Sequence, residues 1–146
     1  MTKTDNKALV ARASTRIKAP ITKVWAALVE PALIKQYMYR TNVVTDWKEG
    51  SPIVWQGEWQ GQAYEDKGTL VKIEPNRILQ YTHFSPLSGQ ADVPENYHTV
   101  TIELSDEGQP TTVTLTQDNN ETEEARQHSE KNWQMMLESL KTLLER

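Results

Sequence analysis

The sequence predicts an α+β fold: a curved, seven-stranded antiparallel sheet, two short helices after the first strand, and a long C-terminal helix gripped by the sheet. Three observations carry this. From Asn42 to about residue 118, apolar residues recur with period two and the links between runs are short, as in an antiparallel meander. Ahead of that stretch the period is two once and then helical, which gives one strand followed by two helices. Behind it, Ser129, Trp133, Met136, Leu137, Leu140 and Leu144 form one helical stripe that needs a surface to lie on.

In chain order, Leu9, Ala11, Ala13, Thr15 and Ile17 fall on one face of a strand and Arg12, Ser14, Arg16 and Lys18 on the other. Pro20 suits the first turn of a helix carrying Ile21, Val24, Trp25 and Leu28. Pro31 ends that segment and opens a second through Ile34, Tyr37 and Met38. Such a helical pair plugs the open end of a curved sheet. Strands are expected near 42–47, 52–59, 62–74, 77–84, 97–105 and 111–118, with turns at Glu49-Gly50-Ser51-Pro52, Trp59-Gln60-Gly61-Gln62, Glu74-Pro75-Asn76 and Asp106 to Pro110. Ser85 to Glu95, with Pro86, Gly89 and Pro94, is a long connection of the kind that forms lids. For the last helix, Asn120 is the expected cap, with Glu123 at capping-box spacing and acidic residues where the helix dipole is positive. Its inward face also carries Arg126, Ser129 and Glu130, with Asn132 at the edge. Either the helix overhangs the core there, or that half lines a wet pocket.

A chain of 146 residues with 37% hydrophobic and 25% charged content fits one globular domain over 9–146 behind a flexible N-terminus at 1–8. Cysteine is absent, so no disulfide or thiolate site exists and a cytoplasmic location is expected. No window approaches a membrane span, and a net charge of −4 without a basic cluster argues against nucleic acid. The oligomeric state, monomer or homodimer, stays open, with Trp47 as a candidate exposed contact.

Chemistry-bearing residues gather on strand faces. Ile53, Trp55, Gly57 and Trp59 share one, Leu79, Tyr81 and His83 another, and His98, Val100, Ile102 and Leu104 a third. If Phe84 and Tyr97 stand opposite each other, His83 and His98 become a cross-strand pair. Candidate ligand-binding residues are therefore Tyr37, Trp55, Trp59, Tyr81, His83, His98, Ser129, Trp133 and Met136, around a small hydrophobic or aromatic ligand. The plainer reading places the tryptophans in the core and the histidines at its wet rim. With three histidines, no cysteine and no His-Glu-x-x-His element, neither a metal nor a cofactor is expected. A Gly-x-Ser-x-Gly elbow and a phosphate-binding loop are both missing. Among the carboxylates Glu58, Glu65, Asp66 and Glu103, Glu58 and Glu103 are expected to face water. An inward acid beside Tyr64 or His98 would permit acid–base work on a carbonyl ligand.

The order of elements resembles the START-like (SRPBCC) superfamily and its helix-grip fold. One branch matches in wording: Ala19-Pro20, Val24-Trp25 and Ala27-Leu28 at the opening, then Gly68, Ile73, Pro75, Arg77 and Ile78 in a hairpin, then Trp133, Met136, Leu137, Leu140 and Leu144 at the end. This resembles the activators of heat-shock-protein-90 ATPase and their bacterial homologues, from Val10 to Glu145. Tyr37 departs from the tryptophan common there, and Asn132 from the usual glycine. The resemblance implies a cavity between sheet and last helix. It also implies two alternatives to ligand binding: a co-chaperone module with a chaperone as partner, and a cyclase- or hydrolase-like enzyme using the same cavity.

Overall fold

A computed structural model describes residues 9–38, 40–106 and 110–146; the flexible N-terminus expected at 1–8 lies outside them. The elements are β1 (Ala11–Ile17), α1 (Ile21–Val29), α2 (Pro31–Tyr37), β2 (Asn42–Val44), β3 (Pro52–Trp59), β4 (Gln62–Glu74), β5 (Ile78–His83), β6 (His98–Ser105), β7 (Thr111–Gln117) and α3 (Glu123–Leu144). All seven strands form one antiparallel sheet in the order β1-β7-β6-β5-β4-β3-β2. The α+β helix-grip class expected from the sequence is therefore observed. The first strand pairs with the last, so β1 and β2 are the two edges.

Period-two burial runs through β1, β6 and β7, and their inner faces meet the stripe of α3. Ile17, Val24, Leu70, Val100, Val113, Leu115, Leu137 and Leu140 are fully buried in that core. In α1 and α2, Val24, Leu28, Ile34 and Tyr37 turn inward and close one end of it. The chain bends between the two helices because Pro31 occupies the first turn of α2 and has no N–H to extend α1.

The edge strand β1 is covered by side chains of α3 rather than by another strand. Arg12 N donates to Glu130 Oε2 (3.1 Å), Ser14 N to Gln134 Oε1 (3.3 Å) and Lys18 N to Glu145 Oε2 (2.8 Å). In return Gln134 Nε2 donates to Ser14 O (2.9 Å) and Lys141 Nζ to Arg16 O (2.5 Å). One helical turn of about 5.4 Å and two strand residues of about 6.6 Å advance at nearly the same rate, so each turn offers a polar group to the next open backbone pair. This accounts for Glu130 on the face otherwise given to the core.

Three sequence expectations change. Asn120 does not cap α3: Thr122 does, its Oγ1 accepting from Ala125 N (3.0 Å). Asn120 is buried instead, with Nδ2 donating to Leu9 O (2.9 Å) and Gln117 O (3.1 Å), because it ties the end of β7 to the start of β1. β2 stops at Val44 rather than 47, since Thr45 Oγ1 bonds Pro52 O and Trp47 takes a left-handed φ of 60°. Trp47 is half-buried against the core, not an exposed contact. From the cap, Thr122→Ala is expected to cost about 1 kcal/mol in urea denaturation, while Asn120→Ala, which strips buried bonds, costs more.

Candidate functional site

The two-residue turn Gln60-Gly61, both at positive φ (51° and 81°), fixes the register of the β3–β4 hairpin. Counting back from Trp59↔Gln62, Gly57 faces Tyr64, Trp55 faces Asp66 and Ile53 faces Gly68. Gly57 has room for no methyl group: a Cβ there would stand 2.5 Å from Tyr64 Oη. The Tyr64 ring thus lies across its glycine partner, and its hydroxyl shares a hydrogen bond with Thr41 Oγ1 (2.7 Å).

These strands and α3 enclose an open-mouthed cavity of about 430 Å3. Met38, Thr41, Trp55, Tyr64, Asp66, Tyr81, His83 and Gln117 line it from the α2 end and the sheet, and Ser129, Asn132, Trp133 and Met136 from α3. Ser85 and Leu87 close one side from the long loop, and the exposed Glu58 stands at its rim. Trp55 is the hub, with Tyr81 at 5.0 Å and His83 at 5.1 Å between ring centroids. Below it a recess of about 30 Å3 shares Met38, Trp55, Tyr81 and Met136 and reaches Tyr37 and Trp47. A second groove of about 540 Å3 crosses the outer face of the sheet, but its walls are mostly polar, four threonines with Arg12, Gln80, Glu103 and Asp118, and only Val10 and Ile78 are apolar.

Of the nine sequence-predicted residues, six line the main cavity: Trp55, Tyr81, His83, Ser129, Trp133 and Met136. Tyr37 does not reach it, because its hydroxyl donates to Ala27 O (2.7 Å) and the ring is buried in the recess. Burial, then the neighbouring Tyr81, pushes its hydroxyl far above the ordinary tyrosine value, so it stays neutral. His98 pairs with His83 in the ladder, as the Phe84–Tyr97 stack (5.0 Å) requires, yet it is not among the lining residues. Its Nδ1 donates to the carbonyl of Asp118 (2.9 Å), which turns the ring toward the β7 end. The side chain of Trp59 lies outside the described residues.

Burial, reinforced by the neighbouring His83, holds the His98 imidazole below its ordinary value of 6.5 against the opposing pull of Asp118 and Glu121. A folded value below the unfolded one means that the unfolded chain binds the extra proton first. His98 therefore loses the protein stability as pH falls through 6.5, with no effect well above it. In urea titrations from about pH 8 to about pH 5, wild type is expected to lose more stability than His98→Gln; parallel decline of both would disprove it.

The sequence reading left Asp66 without a role. Its Oδ2 accepts from His83 Nε2 (2.9 Å), which fixes the proton on Nε2, and its Oδ1 is buried without a hydrogen-bond partner. Glu58 and Glu103 are exposed, whereas Asp66 is the inward acid. The signal was present: the turn at Gln60-Gly61 gives Trp55↔Asp66 by counting. Gln117 was also missed, and its Oε1 accepts from Trp133 Nε1, which ties the indole to the end of β7. Ser129 Oγ donates to Asn120 Oδ1 (3.1 Å). Among the described residues no group of His, Asp or Glu is arranged to hold a metal, and no helix is long and apolar enough to cross a membrane.

Comparison with known proteins gives the same architecture. A solution structure from Cytophaga hutchinsonii is 60% identical, with 93% of each chain covered and a TM-score of 0.82. The Aha1 dimer from Colwellia psychrerythraea is 23% identical, covers 93% of this chain and 96% of that one, and has a TM-score of 0.73. CalU16 from Micromonospora echinospora is 22% identical over 92% of this chain and 83% of that one, at a TM-score of 0.71. At these lower identities the likeness is one of fold. No protein of curated function matches the sequence. The profile described as "Activator of Hsp90 ATPase homolog 1-like protein" matches residues 18–145, and the chain belongs to that family.

Proposed function

We propose that this protein binds a small hydrophobic or aromatic molecule in the cavity between sheet and α3. The observation that carries the reading is the cavity itself: about 430 Å3, walled by Trp55, Tyr81, Trp133 and Met136, with polar side chains such as Asp66, His83 and Ser129 among them. Cavities of this size, mostly apolar with a few placed polar atoms, are the usual form of small-molecule sites. One chain supplies every wall, so a monomer or a homodimer serves equally. Native mass spectrometry of gently purified protein, followed by amide chemical-shift mapping with a panel of aromatic compounds, tests it. Shifts are expected to cluster at Trp55, Tyr81, Ser129 and Trp133. Shifts scattered over the surface, with no mass increment, count against it.

The family match favours a second reading, an interaction module that acts on a chaperone ATPase. Its test is direct: stimulation of the cell's own chaperone ATPase by the purified protein supports it, and an unchanged rate with no capture in a pull-down removes it. An enzyme reading requires an inward acid or histidine, and Asp66 with His83 satisfies that requirement without pointing to a reaction class.

A further inference from the structure

The polar atoms of the cavity are not balanced. Two of its N–H and O–H donors are already committed within the protein: Trp133 Nε1 to Gln117 and Ser129 Oγ to Asn120. Tyr64 and Thr41 share one hydrogen bond. Burial pushes the Tyr81 hydroxyl well above its ordinary value, so Tyr81 is a neutral wall. Among the described buried side-chain atoms, the one without a hydrogen-bond partner is an acceptor, Asp66 Oδ1, on a residue of the cavity wall. A buried carboxylate short of hydrogen bonds is costly, and a cation held beside it offsets part of that cost.

The charge points the same way. Glu58 and Asp66 line the cavity, and among the described residues no lysine or arginine does. The nearby cations face elsewhere: Lys67 pairs with Asp92, and Arg126 with Glu123 and Glu130. Trp55 stands directly opposite Asp66 across the hairpin and packs against Tyr81, so an electron-rich aromatic wall adjoins the carboxylate. A cation is attracted both by the carboxylate and by aromatic faces, whereas a fatty acid or phosphate would meet like charge with no lysine or arginine in the described wall to pair with.

We propose that the ligand is an organic amine, seated with its ammonium group beside the Asp66 carboxylate and its apolar body against Trp55, Tyr81 and Met136. His83 is then a positioning residue: by donating Nε2–H to Oδ2 it holds the carboxylate at the cavity wall. This rests on the cavity-binding reading and narrows it to one class of molecule.

The test is a set of three compounds sharing one body: naphthylmethylamine, naphthylmethanol and naphthoate, titrated by calorimetry near neutral pH into the full chain. The amine is expected to bind about tenfold or more tighter than the alcohol, with naphthoate weakest. In Asp66→Asn, which keeps the shape, the advantage of the amine over the alcohol is expected to fall to within about threefold while alcohol binding persists. The wild-type ranking decides the matter even if that variant does not fold. Equal binding of amine and alcohol, or naphthoate binding tightest, overturns the amine assignment and leaves the cavity reading standing. If none of the three binds, both fall.

Discussion

Gly68→Ala is expected to be the most damaging single methyl group that can be added to this protein, costing about 4 kcal/mol or more, or preventing folding altogether. The cause is space. A Cβ on Gly68 would lie 1.7 Å from Thr82 O and 2.5 Å from Thr82 C, both backbone atoms of the neighbouring strand. A side chain can rotate away from such a contact, but a carbonyl in a ladder moves only with its strand. On either side β4 and β5 are held together, by Lys67 N to Phe84 O (3.0 Å), Phe84 N to Lys67 O (2.7 Å) and Thr69 N to Thr82 Oγ1 (2.9 Å). Parting the strands breaks these bonds and shifts Asp66 and His83, which flank the site of closest approach. Gly50 is the control: its φ of 89° strains a side chain, but nothing lies within 4 Å of its Cβ position, so Gly50→Ala is expected to cost only about 1 kcal/mol. Denaturant midpoints of the two variants check this. A loss below about 1 kcal/mol for Gly68→Ala would mean that the two strands separate freely at this point.

Leu137→Ala is the second large effect, about 3 to 5 kcal/mol. Leu137 has no exposure and sits between Met136 and Leu140, where α3 presses on the inner face of the sheet. Removing its isobutyl group loses the transfer free energy of those atoms and leaves a cavity that a rigid sheet cannot collapse to fill. Met135, its neighbour on the same helix, is half-exposed, and Met135→Ala is expected to stay within about 0.5 kcal/mol. Similar losses for the two would contradict the orientation of α3. Because Met136 and Trp133 from the same helix line the cavity, Leu137→Ala is also expected to weaken ligand binding, which the titrations above read directly.

The fold was legible because its signals are periodic. Alternation in β1, β6 and β7 and the stripe of α3 place the core without reference to anything distant in sequence. What escaped depends on where two segments meet. Asn120 and Thr122 are both favourable caps by residue type, and only the junction of β7 with β1 draws Asn120 inward and leaves the cap to Thr122. The end of β2 was missed because a tryptophan in left-handed backbone has no sequence signal of its own. In the site, the aromatic wall follows from alternation, whereas Tyr37 misleads because its carbonyl partner, Ala27, lies on the preceding helix. Asp66 is the instructive case, since the register that sets it opposite Trp55 was written in the turn and only the count was lacking.

The side-chain ladder between β1 and α3 links parts of the chain that are made at very different moments. Arg12 and Glu130 are separated by 118 residues and Lys18 and Glu145 by 127. At about 5–20 residues per second, a ribosome delivers the helix on the order of ten seconds after the strand it covers. For that interval the first strand has neither its β7 neighbour nor its helical cover, and its open backbone edge is available to any other nascent chain. The protein is thus most exposed to mispairing during its own synthesis, and the residues of α3 are the ones that end that exposure.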